Sequence, residues 1–128
     1  MTTLTTAGIK ISVVTNFRQD LSEINEMRFF FNYHISMLNE NNFPVQLISR
    51  EWYIFDSLGE PRIVTGLGVI GEQPILKLNE SYDYASGCDL TSEIGLMRGI
   101  YTFKNLSTNE EFEVFVPTFQ LEYSGKLN

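Results

Sequence analysis

The glycines of Gly66-Leu67-Gly68-Val69-Ile70-Gly71 have the spacing of a dinucleotide-binding turn, so phosphate binding is the first chemistry they suggest. That chemistry needs a strand before the glycines and a helix after them, because the free N–H groups and dipole of the helix hold the pyrophosphate. Here Gly71 runs into Glu72-Gln73-Pro74 and a short apolar stretch. No helix of useful length can start there, and Glu72 puts negative charge where a phosphate would sit. The glycines are read as permitting positive φ or a bulge in a bent strand, with an anion-binding backbone nest as the alternative.

Three other sets of residues could carry chemistry. Glu72, Glu80, Asp83, Asp89 and Glu93 form an acidic stretch of the oxygen type that hard cations take, but no ligand-loop spacing orders them, and a solvated acidic face is expected. One cysteine, Cys88, and one histidine, His34, cannot make a zinc site. As a nucleophile Cys88 would need a base, and the neighbouring Asp89 raises its pKa. Arg50 and Trp52 are two positions apart and share one face of a strand. The tryptophan is expected to fill the core, and Arg50 to stack on an aromatic ring or pair with a buried carboxylate, leaving its guanidinium rigid enough to meet a partner. Arg98 has the same two readings.

Period-two alternation defines the strands that carry these residues. Ile9, Ile11 and Val13 alternate with polar residues; Phe29 to Met37 makes a long strand; Val45 to Phe55 is apolar on both faces around Trp52 and so belongs inside a sheet. Ile63 and Val64 lead into the glycines, Pro74 to Leu78 makes a short edge strand, and the strand around Tyr82 and Tyr84 ends at Ser86-Gly87. Leu96–Lys104 and Glu111–Val116 form a hairpin, after which Pro117 stops the ladder, with Phe119 and Leu121 as candidates to continue an edge. With 128 residues, 43% hydrophobic and 13% aromatic, the chain is one domain with one core. The pattern predicts an all-β, immunoglobulin-like antiparallel β-sandwich without the Cys…Trp…Cys pin.

Sixteen acidic against nine basic residues, a net charge of -7, exclude nucleic acid and anionic membranes as main partners. The N-terminal residues lack a signal-peptide pattern and no apolar run is long enough to span a bilayer. A lone cysteine rules out an intrachain disulfide, so a cytoplasmic location is expected.

Five separated motifs, Pro44-Val45-Gln46-Leu47-Ile48-Ser49-Arg50-Glu51-Trp52, Gly66 through Pro74, Tyr84-Ala85-Ser86-Gly87, Gly95 through Tyr101 and Pro117-Thr118-Phe119, resemble the ApaG family in order and spacing. The match runs from about Ile9 to Leu121. It departs at Glu51, where the family has histidine, and at Leu78-Asn79, where it has Pro-Gly. The resemblance implies a fibronectin type III-like sandwich, a bacterial link to cobalt tolerance and magnesium efflux, and interaction modules in eukaryotic relatives; no enzymatic activity follows from it. The expected function is a non-catalytic module that binds another protein through a groove or open sheet edge beside the glycine loop. Its binding residues are Arg50, Trp52, Gly66, Gly68, Gly71, Glu72, Gln73 and Pro74, with no catalytic residue, metal ligand or cofactor. The alternative is a module binding a divalent cation or a phosphorylated small molecule.

Overall fold

Alternating apolar residues build β2 (Ile9–Phe17) and β3 (Phe29–Asn39), which pair antiparallel and bury Ile9, Ile11, Val13, Phe31, Tyr33, Ile35 and Met37 on one side. The structure, a computed structural model, describes residues 1–125. At Ala7 and Gly8, both at positive φ, the chain turns back so that β1 (Thr2–Thr6) pairs with β2. This threonine-rich strand has no apolar alternation to announce it. The polar connection before β3 holds two single 3-10 turns, Gln19–Leu21 and Ile24–Glu26.

The first sheet has the order β1-β2-β3-β7, with β7 spanning Ser81–Leu90. The second has the order β5-β4-β8-β9, with the short β6 (Ile75–Leu76) also pairing β4 (Val45–Asp56). Its remaining strands are β5 (Arg62–Leu67), β8 (Ile94–Asn105) and β9 (Glu111–Glu122). Every pairing is antiparallel. One apolar core fills the space between the sheets, so Val45–Phe55 does lie inside a sheet, as its two-sided hydrophobicity requires. Among the described residues no helix is long and apolar enough to cross a membrane.

Two strand ends differ from the sequence reading. Gly87 does not end β7, which continues to Leu90, because a side chain there would collide with the ring of Phe30 on β3 and glycine lets the strands pair. Nor does Pro117 stop β9. It sits at a bulge where the register with β8 shifts between Met97 and Gly99, and Phe119 and Leu121 continue the strand into the core. A residue without an N–H is tolerated where the ladder is already interrupted.

Candidate functional site

The glycine loop is closed by its own backbone. Gly68 (φ 59°) donates its N–H to Ile48 O at 2.8 Å, while Val69 and Glu72 exchange N–H···O bonds of 2.9 and 2.8 Å around a turn at Ile70 (φ 42°) and Gly71 (φ 80°). A Cβ on Gly68 would lie inside contact distance of Glu72 O. Gln73 Nε2 donates to Ile48 O at 2.9 Å, and Leu47 N–H to Pro74 O at 3.1 Å, stitching the loop to β4. The amides of residues 69 and 72 are therefore spent within the turn and that of residue 68 on β4, and the next element after Gly71 is β6, not a helix. A pyrophosphate cradle needs those donors free.

Arg50 and Gly66 face each other across β4 and β5. The guanidinium passes over Gly66, where a Cβ would lie 2.8 Å from Arg50 Nη1, and Nη1 donates to the carbonyls of Leu67 (3.1 Å) and Gly68 (2.9 Å). Gly66 is thus needed for side-chain passage, not for positive φ. The partners expected for Arg50, an aromatic ring or a buried carboxylate, are replaced by loop carbonyls. Trp52, 3% exposed, packs its ring against Tyr33, Tyr101 and Phe119 at 5.5, 6.0 and 5.9 Å, with Gly99 beneath it because a Cβ there would reach 2.8 Å from the indole. Trp52 therefore supports the site from below. Beside it Tyr84 and Tyr101 join the two sheets through hydroxyls 2.5 Å apart; burial pushes both phenols up, against the opposing charge of Arg50.

The acidic residues do not converge. Glu80 accepts the Lys77 N–H, Asp83 accepts the Ser36 hydroxyl, and Asp89 pairs with Arg62 at 3.2 Å. Among the described residues no three His, Cys, Asp or Glu side chains come together to hold a metal ion. Cys88 lies in the core and His34 is exposed on the opposite side of the same sheet. Burial pushes the Cys88 thiol up to about 11, partly offset by Arg62. A thiol so protonated, with its only histidine across the sheet, is a poor nucleophile.

The sequence reading missed the outer face of the second sheet. In its cross-strand rows Phe55 pairs with Leu96, Tyr53 with Ile63 and Arg98, and Ile100 with Phe115. Phe55, Ile63, Leu67, Leu96 and Phe115 are exposed, with Ile63 at 66% and Leu67 at 73%. Hollows of about 350 and 240 Å³ open between them, sharing Tyr53 and Arg98. The Arg98 guanidinium carbon sits 4.7 Å from the centre of the Tyr53 ring, the aromatic stacking that its sequence neighbours could not specify. The legible signal was the apolar character of β4 on both faces.

Two antiparallel sheets over one core, without a disulfide pin, define a β-sandwich of the fibronectin type III-like kind. The ApaG domain model matches residues 19–105. The chain belongs to the ApaG family. It is 42% identical over 117 residues to Protein ApaG of Methylorubrum extorquens (strain PA1), covering 91% of this chain and 89% of that one. It is 38% identical over 120 residues to Protein ApaG of Mesorhizobium japonicum, covering 94% and 92%. The solved structure of a putative ApaA protein from Bordetella pertussis superposes with a TM-score of 0.86 at 35% identity, covering 89% of this chain and 92% of that one.

Proposed function

We propose that this ApaG-family chain is a non-catalytic module that binds another protein on the outer face of its second sheet. The supporting observation is the adjoining exposed set Phe55, Leu96, Ile63 and Phe115 around Tyr53 and Arg98. Apolar side chains scattered singly need no explanation, whereas adjoining ones rimmed by charge suit a partner surface. The residues capable of chemistry stay apart, Cys88 and His34 on opposite sides of one sheet and Glu80, Asp83 and Asp89 each with its own partner. The module works in the cytoplasm, where its single thiol stays reduced, and takes neither nucleic acid nor a membrane surface, given its charge of -7. The family's link to cobalt tolerance and magnesium efflux then acts through the partner and not through a cation held by this chain.

The test is retention of proteins from native lysate on the immobilised chain, identified by mass spectrometry. Ile63→Lys combined with Phe115→Lys should lose the retained partner, while His34→Lys on the other sheet should keep it, with both variants folded. Equal retention by both variants would remove this reading.

A further inference from the structure

We infer that β5 is a docking edge at which an extended partner segment joins the second sheet antiparallel, with a basic residue preceding an acidic one by two positions. The inference rests on the partner-surface reading above and specifies the partner's chemistry.

The sandwich has two lateral sides, and they differ in cover. On one, β1 lies beside β9, and Thr6 Oγ1 accepts the N–H of Phe115 at 3.3 Å. On the other, β7 carries Asp83 and Asp89, charges of the kind that discourage strand addition, whereas β5 carries one charged residue, Arg62, already paired with Asp89. β5 contains no proline or lysine, and no strand pairs with it beyond β4; of its outward carbonyls, that of Leu67 accepts from Arg50 Nη1 at 3.1 Å. Because the Gly68 N–H goes to Ile48 O, alternation turns the backbone groups of Gly66, Val64 and Arg62 toward β4 and those of Ile63, Thr65 and Leu67 outward. The flanking side chains Ile63, Val64 and Leu67 are exposed on both faces of this strand.

Charge fixes what would suit that edge. Arg98 leans on Tyr53, in the row of Ile63, and Glu51 lies one row further along, opposite Thr65. Neither Arg98 nor Glu51 is in an ion pair among the described residues. Strands lie about 4.8 Å apart, so β4, which carries Glu51 and the Tyr53 ring under the Arg98 guanidinium, is roughly 10 Å from an added strand, a gap that long charged side chains crossing over β5 can close. An antiparallel segment passes Leu67 and Thr65 before Ile63. Its outward residues thus meet Glu51 first and Arg98 last, and its inward residues pack beside Val64. The pattern is basic opposite Thr65, apolar beside Val64 and acidic opposite Ile63; parallel addition would demand the reverse charge order.

A displayed library of random ten-residue segments, selected on the immobilised chain, tests this. Enriched segments should alternate with the basic residue first, and the strongest, made as a synthetic peptide, should protect the amides of Ile63, Thr65 and Leu67 from hydrogen exchange. Thr65→Pro, which removes one outward donor, should weaken it about tenfold, as loss of one backbone hydrogen bond does. Arg98→Glu should weaken it too and be rescued by a peptide with lysine in place of its acidic residue. That rescue is the measure that does not depend on how the proline is accommodated. Segments with apolar residues at helical spacing, lost on Ile63→Lys but not on Thr65→Pro, would overturn edge addition and leave the partner surface standing. Acidic-before-basic order would overturn the antiparallel assignment. No enrichment would also overturn the inference, while the reading of the face rests on the separate lysate comparison.

Discussion

The two outer faces of the sandwich rest on the same core yet treat solvent differently. Across the first sheet, Thr3, Ser12, Ser36 and Asp83 fall in one cross-strand row, with Thr3 Oγ1 3.2 Å from Ser12 Oγ and the Ser36 hydroxyl donating to Asp83. Lys10 and His34 stand exposed on the same face. The equivalent rows of the second sheet hold Phe55 with Leu96, and Ile100 with Phe115. An antiparallel sheet needs only one apolar face, so the first sheet follows the ordinary rule, and the second exceeds what its core requires. The excess is the feature that the proposed partner would cover.

The largest effect tests what the faces share. Trp52→Ala removes the ring that Tyr33, Tyr101 and Phe119 surround, and should cost about 3–5 kcal/mol in denaturant unfolding. Both faces should then lose order together. A midpoint unmoved by this change would mean that the faces do not share one support.

Asp56 tests them separately. Its carboxylate ties the β4 end to the β7–β8 turn, accepting from Thr91 N–H at 2.7 Å, Thr91 Oγ1 at 2.8 Å and the Ser92 hydroxyl. Asp56→Ala should cost about 1–3 kcal/mol by orphaning those donors, and hydrogen exchange should rise in β5 before it rises in β2. Burial alone would raise the Asp56 pKa, but the Ser92 and Thr91 donors outweigh it and hold the carboxyl below its ordinary 3.8. A folded-state pKa below the unfolded one contributes stability above about pH 4 that is lost as pH falls through the folded value. Wild type should therefore lose stability on acidification more steeply than Asp56→Ala; parallel acid curves would contradict the assignment.

A smaller effect sharpens the contrast itself. Ile63→Lys on the second sheet and Val14→Lys on the first should each change stability within about 0.5 kcal/mol, since both side chains are exposed. Only Ile63→Lys should lower binding of a hydrophobic fluorescent dye. Equal loss from both would dissolve the difference between the faces.

The smallest expected effect is none. Mg2+ or Co2+ should leave the thermal midpoint in place, because Glu80, Asp83 and Asp89 each have separate partners. A bound cation at a hundredfold excess over Kd would stabilise by about 2.7 kcal/mol, several degrees for a domain of this size. A saturable rise abolished by Asp83→Asn with Asp89→Asn would move the function to the acidic surface.

Alternation of side chains determined, without reference to any partner strand, which residues face the core. Phe31, Tyr33, Ile35 and Trp52 are buried as their spacing requires, because successive side chains of a strand point to opposite sides whatever lies beside it. The sequence after Gly71 likewise excluded a nucleotide-binding helix, since Pro74 and the short run beyond it are local facts. Long-range pairing decided the rest. That Arg50 crosses Gly66 to reach loop carbonyls, that Pro117 sits in a bulge and that β7 runs past Gly87 all depend on strands distant in the chain. So does the candidate surface: Tyr53, Ile63, Arg98 and Phe115 lie on four strands, and they become neighbours only once β5, β4, β8 and β9 take their order. Exposure of the β5 edge is equally invisible to periodicity, because an edge differs from an interior strand only in what fails to pair with it.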